Sequence, residues 1–280
     1  MGAPARGSRA TWRAATPALA VLTGLAGAAG LAVTGRQVIR RQAASARAVI
    51  GKPLGERPHA ADRTYKKSYG EPLQLLLLGD SIAAGLGAAK PKHTLGAQLA
   101  ARVAKGTRRA VRLHTAARVG AETSMLRAQL AGLPPGYHAD VAVVVVGGND
   151  VIHRVRPSES RRHLAEAVAE LQGRGTAVVV GTCPDLGALT AVPQPLRAMG
   201  RLASRQLAKA QREVTTELGA TAVDLAEVVG PFFIAQPDQM FSIDRFHPSS
   251  AGYKRTAKAM LPSVLVALGL SAPEPSNAVR

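Results

Sequence analysis

An α/β fold built on a mostly parallel sheet is what this sequence predicts, on three observations. From Leu73 onward, apolar runs of strand length alternate with stretches of helical periodicity. The runs, such as LLLL at 75–78 and VAVVVV at 141–146, are continuous in their apolar character. Several end in glycine or a turn residue. A strand covered by helices on both faces needs apolar side chains on both, so an unbroken run marks a parallel sheet buried from both sides.

In chain order the strand candidates are Leu73–Leu78, Val111–Ala116, Val141–Val146, Ala177–Thr182 and Thr221–Val223. The helix candidates between and after them are Leu95–Ala104, Glu122–Leu130, Ser158–Gln172, Met199–Leu218 and Ser249–Leu268. This is a βαβα alternation with no internal repeat. One connection is long: Cys183–Arg197 leaves a strand end and holds three prolines and a glycine. A loop of that length inside a compact domain is expected to wall or cover a site. On the helix after it, Arg201, Arg205, Lys209 and Arg212 share one face, which reads as a solvated surface.

The composition bounds the function classes. With 280 residues and 46% hydrophobic content, one large domain with a full core is available. The single cysteine, Cys183, excludes an internal disulfide and a cysteine-based metal cluster. The formal charge is +18, and residues 1–70 alone hold 12 Lys or Arg against 2 Asp or Glu. A basic chain raises nucleic acid as a partner, but aromatics are only 3% and no helix-turn-helix, zinc-finger or RNP-like pattern occurs. The densest basic segment flanks an apolar run, so anionic lipid head groups are the expected partner and nucleic acid is not.

That run organises the N-terminal quarter. Residues 1–13 form a small, polar tail with Arg6, Arg9 and Arg13; residues 14–35 then carry no charge over 22 positions. A helix of that length crosses a hydrocarbon core, and Gly24, Gly27 and Gly30 suit close helix packing. An uncleaved membrane anchor is the expectation, with a signal peptide cut near Ala26-Gly27-Ala28 as the alternative. Arg36, Arg40, Arg41, Arg47 and Lys52 after the run outnumber the arginines before it, which keeps the domain cytoplasmic by the positive-inside rule. A signal anchor places it outside, and the sequence leaves both open. Residues 36–70 read as a basic linker with one short helix around Arg36–Val49, residues 71–270 as the folded domain, and residues 271–280 as a disordered tail.

Four strand-end or loop sites carry the chemistry. The run 75–78 breaks into Gly79-Asp80-Ser81, and in an open α/β sheet the carboxyl ends of strands are where ligands sit. Ser81 there is either the cap of a strand-to-helix turn or a nucleophile. After Val111–Ala116, Gly120 precedes a helix start and has a backbone N–H free to face a cleft. After Val141–Val146, Gly147-Gly148 turns the chain so that Asn149 presents an amide donor at the same edge as Ser81. Before the last helix, Asp244 and His247 stand three apart on one loop, where the carboxylate can hold one ring nitrogen and leave the other for a serine. Pro248 fixes the exit.

These blocks together resemble the SGNH or GDSL hydrolases: Gly79-Asp80-Ser81 the first block, Gly120 the second, Gly147 to Asp150 the third, and Asp244 to His247 the fifth. The resemblance runs from about Leu73 to Leu268. Two departures are Ile82, where the motif usually has Leu, and the loose register around Gly120. The resemblance implies a three-layer α/β/α flavodoxin-like fold with a five-stranded parallel sheet, and a serine esterase or acyl hydrolase needing no metal or cofactor. It implies Ser81 as nucleophile, His247 as base, Asp244 as its orienting acid, and an oxyanion hole from the Ser81 N–H, the Gly120 N–H and the Asn149 side chain. The expected partner is an ester, a small acyl ester or a lipid; an acyltransferase or deacetylase acting on a sugar or lipid, or a non-catalytic membrane-tethered binding module, are the alternatives. Oligomeric state is not encoded legibly. Two other motifs fail: G-x-S-x-G meets Ala83, and a dinucleotide fingerprint from Gly85 meets Lys90.

Overall fold

The computed structural model describes residues 34, 36–45, 48, 54, 55 and 57–270. The basic tail 1–13, the uncharged stretch 14–35 apart from Thr34, and the tail 271–280 lie outside the described residues. Among the described residues no helix is long and apolar enough to cross a membrane.

Helix α1 spans 36–45. Then follow β1 (Thr64–Tyr65), β2 (Pro72–Gly79), α2 (Ser81–Ala84), α3 (Leu95–Thr107), β3 (Ala110–Thr115), α4 (Leu126–Ala131) and β4 (Val141–Val145). The second half holds α5 (Gly148–His153), α6 (Pro157–Gly173), β5 (Ala177–Gly181), α7 (Leu196–Glu217) and β6 (Thr221–Val223), then α8 (Leu225–Val228), α9 (Gly230–Ala235), α10 (Pro237–Met240) and α11 (Ser250–Ala267). All the strands and long helices expected from periodicity are present. The three short helices from Leu225 to Met240 had no such signal, being a turn or two each.

The sheet order is β1-β3-β2-β4-β5-β6, with β2 to β6 parallel. The five expected parallel strands are joined by a sixth, β1, antiparallel against β3 through Thr64↔Arg112 and Tyr65↔Val111. Two residues are too few to show a period, and they fall in the stretch read as linker. Tyr65 is buried and its hydroxyl donates to the Ala61 carbonyl at 2.7 Å. The folded unit therefore begins before residue 71, the boundary expected from sequence. The linker's helix α1 also docks, with the Leu196 N–H donating to Gln42 Oε1 at 3.2 Å.

Order along the parallel strands reverses between β2 and β4: the chain goes from β2 outward to β3, then crosses back to β4 on the other side. Such a switch point opens a crevice beyond the strand ends. The leucine run explains the layering. Leu75 and Leu77 bury into one core with α3 and α11, while Leu76 and Leu78 bury into the other with α4 and α6. Val143 and Val145 likewise face the first core, and Ala142 and Val144 the second.

The ends of β2 and β4 are shaped by close approach. At Gly79 (φ +127°), a Cβ would lie 1.9 Å from the Val145 carbonyl oxygen, so only glycine fits there. Its amide donates to Gln129 Oε1 and its carbonyl accepts from Gln129 Nε2, both at 2.8 Å. Buried Gln211 does the same between β4 and β5, accepting from the Cys183 N–H at 2.7 Å and donating to the Val146 carbonyl at 3.0 Å. Neither glutamine signals its role in the sequence, because each partner is more than 25 residues away; only their burial as uncharged amides inside two helices reveals it.

Candidate active site

Ser81 opens α2 directly after β2. Asp80 caps that helix, its Oδ1 accepting from the Ile82 N–H at 2.9 Å, and its own N–H donates to Val145 O at 3.0 Å. A cap of this kind satisfies an orphan amide and turns the chain sharply out of the strand. Ser81 is 7% exposed, so its hydroxyl stands at the floor of the crevice.

His247 and Asp244 come from the loop before α11. Asp244 Oδ1 accepts from the Phe246 and His247 backbone N–H groups, each at 3.0 Å, closing a tight turn through Arg245 in the left-handed region (φ +53°). Its Oδ2 lies 2.6 Å from His247 Nδ1, and His247 Nε2 lies 2.9 Å from Ser81 Oγ. The Phe246 ring packs edge-on against the imidazole, with centroids 4.9 Å apart. Burial pushes the Asp244 carboxyl up, but the hydrogen bonds from the His247 ring and from the Phe246 and His247 amides outweigh it, leaving the group below the usual carboxylate range. It therefore stays ionised and holds the Nδ1 proton, so Nε2 presents its lone pair to the serine.

Asn149, the second residue of α5, lines the same cavity as Ser81 and His247, with Nδ2 donating to the Ala121 carbonyl at 3.0 Å. A side-chain amide carries two protons, so one remains available. The neighbouring Asp150, fully buried, accepts from the Thr123 N–H at 3.1 Å, and His153 Nδ1 lies 2.6 Å from Glu122 Oε1. Three side chains of α5 thus pin the loop that follows Gly120. Gly120 itself (φ +80°) is not among the residues lining the cavity. The structure brings Ser81, His247, Asp244 and Asn149 together and does not bring Gly120 into the cavity that Ser81, His247 and Asn149 line.

Asp80 is the unanticipated electrostatic feature. Burial pushes its carboxyl up to about 6, against the opposing pull of the Ile82 N–H, the His247 ring and the Gly147 N–H. A carboxyl with that value beneath a histidine and a serine is a shared device of sites and of strained cores.

Beyond the serine opens an apolar cavity of about 770 Å³, its mouth included, walled by Leu186, Leu189, Leu225, Val229, Phe233 and Phe246. The loop 183–197, expected as a wall, supplies one side. Asp185 caps its 3-10 turn (Leu186–Ala188) by accepting from Gly187 N–H at 2.7 Å, and is ion-paired to Arg201 at 3.2 Å and Arg205 at 3.3 Å. The basic face of α7, expected as merely solvated, is therefore in part a clamp on the cavity wall; Arg212 pairs with Asp224 at 2.8 Å.

The family model described as "GDSL-like Lipase/Acylhydrolase family" matches residues 77–255, the span from β2 into α11 that carries all of these groups. The chain belongs to the GDSL-like lipase/acylhydrolase family. A GDSL-like esterase of Mycobacterium tuberculosis, Rv1075c, is 38% identical over 263 residues, covering 88% of this chain and 81% of that protein. Among solved structures, a lipase/acylhydrolase from Enterococcus faecalis superposes with a TM-score of 0.56 at 19% identity, covering 72% of this chain and all of that one. The lipase Lip_vut3 from a goat rumen metagenome gives 0.58 at 19% identity, covering 71% and 98%. At such identities the two structures share the fold. Gly79-Asp80-Ser81 lies at the end of β2 and Asn149 just after β4, on either side of the switch point.

Proposed function

We propose that the protein hydrolyses carboxylic esters through an acyl-enzyme on Ser81. The observation that carries the reading is the single hydrogen-bonded line from Asp244 through His247 to Ser81, ending at the mouth of an apolar cavity. His247 Nε2 accepts the hydroxyl proton as Oγ bonds to the ester carbonyl carbon, and the carbonyl oxygen takes the negative charge. The Asn149 amide, the Ser81 N–H and the Gly120 N–H are the donors for that charge, which is worth most in a site where water is displaced. The imidazolium, balanced by Asp244, then protonates the departing alcohol as the C–O bond breaks. Water, deprotonated by the same nitrogen, releases the acid and frees Ser81.

The cavity supports an apolar acyl or alkyl group of the ester, since Leu186, Leu189, Leu225, Val229, Phe233 and Phe246 make up much of its wall. Ser81→Ala is the test. Turnover of short-chain p-nitrophenyl esters and labelling by a fluorophosphonate probe are expected to vanish while the far-ultraviolet circular dichroism is unchanged. Undiminished hydrolysis by that variant ends the proposal.

We further propose that residues 14–35 hold the chain at a membrane. The support is 22 uncharged residues followed by a basic flank. Release of the full-length protein from membranes by alkaline carbonate overturns this, and a reporter fused after Arg280 assigns the side.

A further inference from the structure

A second apolar groove, of about 1270 Å³ with open solvent included, adjoins the catalytic cavity. It runs between α1, α5 and α7, with Ile39 on the first, Ile152 on the second and Met199 on the third. Leu186, Leu189 and Phe246 line both the groove and the catalytic cavity, so the two share a wall immediately beside His247. At the groove, Ile152 is 46% and Met199 52% exposed, and Leu202, one turn further along α7, is 61% exposed. Large apolar side chains left this open next to a site mark a surface that another apolar phase covers.

Two cations, Arg154 and Arg197, line the groove, and Arg36 and Arg40 stand exposed on α1 close to Ile39 in the chain. Among the described residues these four have no acidic partner, unlike Arg201, Arg205 and Arg212 on the far side of α7. The described residues of α1 from 36 onward directly follow the uncharged stretch 14–35 in the chain. An apolar strip flanked by unpaired arginines is complementary to an anionic bilayer, whose surface attracts basic residues and whose interior takes up large apolar side chains.

We propose that this α1–α5–α7 face seats directly on an anionic phospholipid surface, so that the catalytic cavity is fed from the lipid side past Phe246. The docking stands apart from any anchoring by residues 14–35. The feeding route rests on the reading of Ser81 as nucleophile.

The test uses the full-length chain carrying Met199→Cys, labelled with an environment-sensitive fluorophore; the native Cys183 is fully buried and leaves the new thiol as the accessible one. The protein is reconstituted into phosphatidylcholine vesicles with or without about 30 mol % phosphatidylglycerol. The expected result is a blue shift and a rise in intensity of severalfold in the anionic vesicles only, reversed at high salt and absent in the Arg154→Gln/Arg197→Gln background. A label at Lys105→Cys on α3, across the sheet, is expected not to respond. No response at position 199, or an equal one in neutral vesicles, overturns the proposal. A blue shift without lipid that grows with protein concentration assigns the face to a second copy, and one present at every dilution assigns it to residues 14–35 of the same chain; either result overturns it. Repeating the spectra on Ser81→Ala separates the two readings: a lost shift with Ser81-dependent turnover intact counts against docking alone, and a retained shift with no Ser81 dependence counts against the nucleophile alone.

Discussion

Replacing Asp80 by asparagine is expected to stabilise the protein at alkaline pH. The Asp80 carboxyl is pushed by burial from 3.8 to about 6. Its folded-state value is raised, so the folded protein holds the proton more tightly than the unfolded chain. Its contribution to stability is fully present below the unfolded value and is lost as pH rises through about 6. A difference of about 2 units is worth about 3 kcal/mol in full, and about 2 kcal/mol of it falls between pH 4.5 and pH 8. Asparagine keeps an oxygen for the Ile82 N–H, so the cap survives and the ionisation does not. The stability difference between Asp80→Asn and wild type is therefore expected to shift by about 2 kcal/mol in favour of the variant from pH 4.5 to pH 8. In equilibrium urea unfolding that is a relative midpoint shift of about 1 M at an m value near 2 kcal/mol per M. The same substitution removes an anion that faces His247 and so lowers kcat, because the imidazolium formed during acyl transfer loses that partner. A difference that does not change with pH refutes the reasoning, since it means the carboxyl is not held as a strained anion at neutral pH.

Three further substitutions probe the rest of the site. Asp244→Asn leaves the turn but offers His247 Nδ1 the wrong hydrogen-bond partner, and kcat/KM for p-nitrophenyl acetate is expected to fall by about 10,000-fold; a loss under tenfold removes Asp244 from the relay. Asn149→Ala deletes one donor to the developing charge and is expected to lower kcat by about 100- to 1000-fold with KM little changed, read in steady-state kinetics. Gln129→Leu leaves the buried N–H of Gly79 unpaired, while its carbonyl keeps the Arg118 N–H at 3.0 Å, an expected cost of about 1–3 kcal/mol in urea unfolding; a change below about 0.5 kcal/mol means solvent or another group satisfies that N–H.

Much of this was legible before any coordinates. The unbroken leucine and valine runs could bury on both faces only in a helix-covered parallel sheet, and the Gly-Asp-Ser, Gly-Gly-Asn-Asp and Asp-x-x-His blocks carry their chemistry within three or four residues of chain. Local patterns of that kind are readable because the physics that creates them, side-chain periodicity and short-range hydrogen bonding, is itself local. Asp244 and His247 meet across one turn, and their partnership is visible from spacing alone.

What only the tertiary structure decided depends on which distant groups become neighbours. Pairing of β2 with β4 is what sets Ser81 beside Asn149 at the switch point, and nothing within either segment specifies that neighbour. The Gln129 and Gln211 staples, the clamp of Arg201 and Arg205 on Asp185, and the two-residue β1 are long-range contacts whose partners are unremarkable residues in sequence. Gly120 shows the same division from the other side: its motif position is readable, while the distance from its amide to the reacting centre is set by how α5 pins the loop. Residue types and spacing determine what chemistry the chain can perform. Burial and long-range pairing determine where it is assembled and how strongly each group is held, because desolvation and electrostatics act through space and not along the backbone.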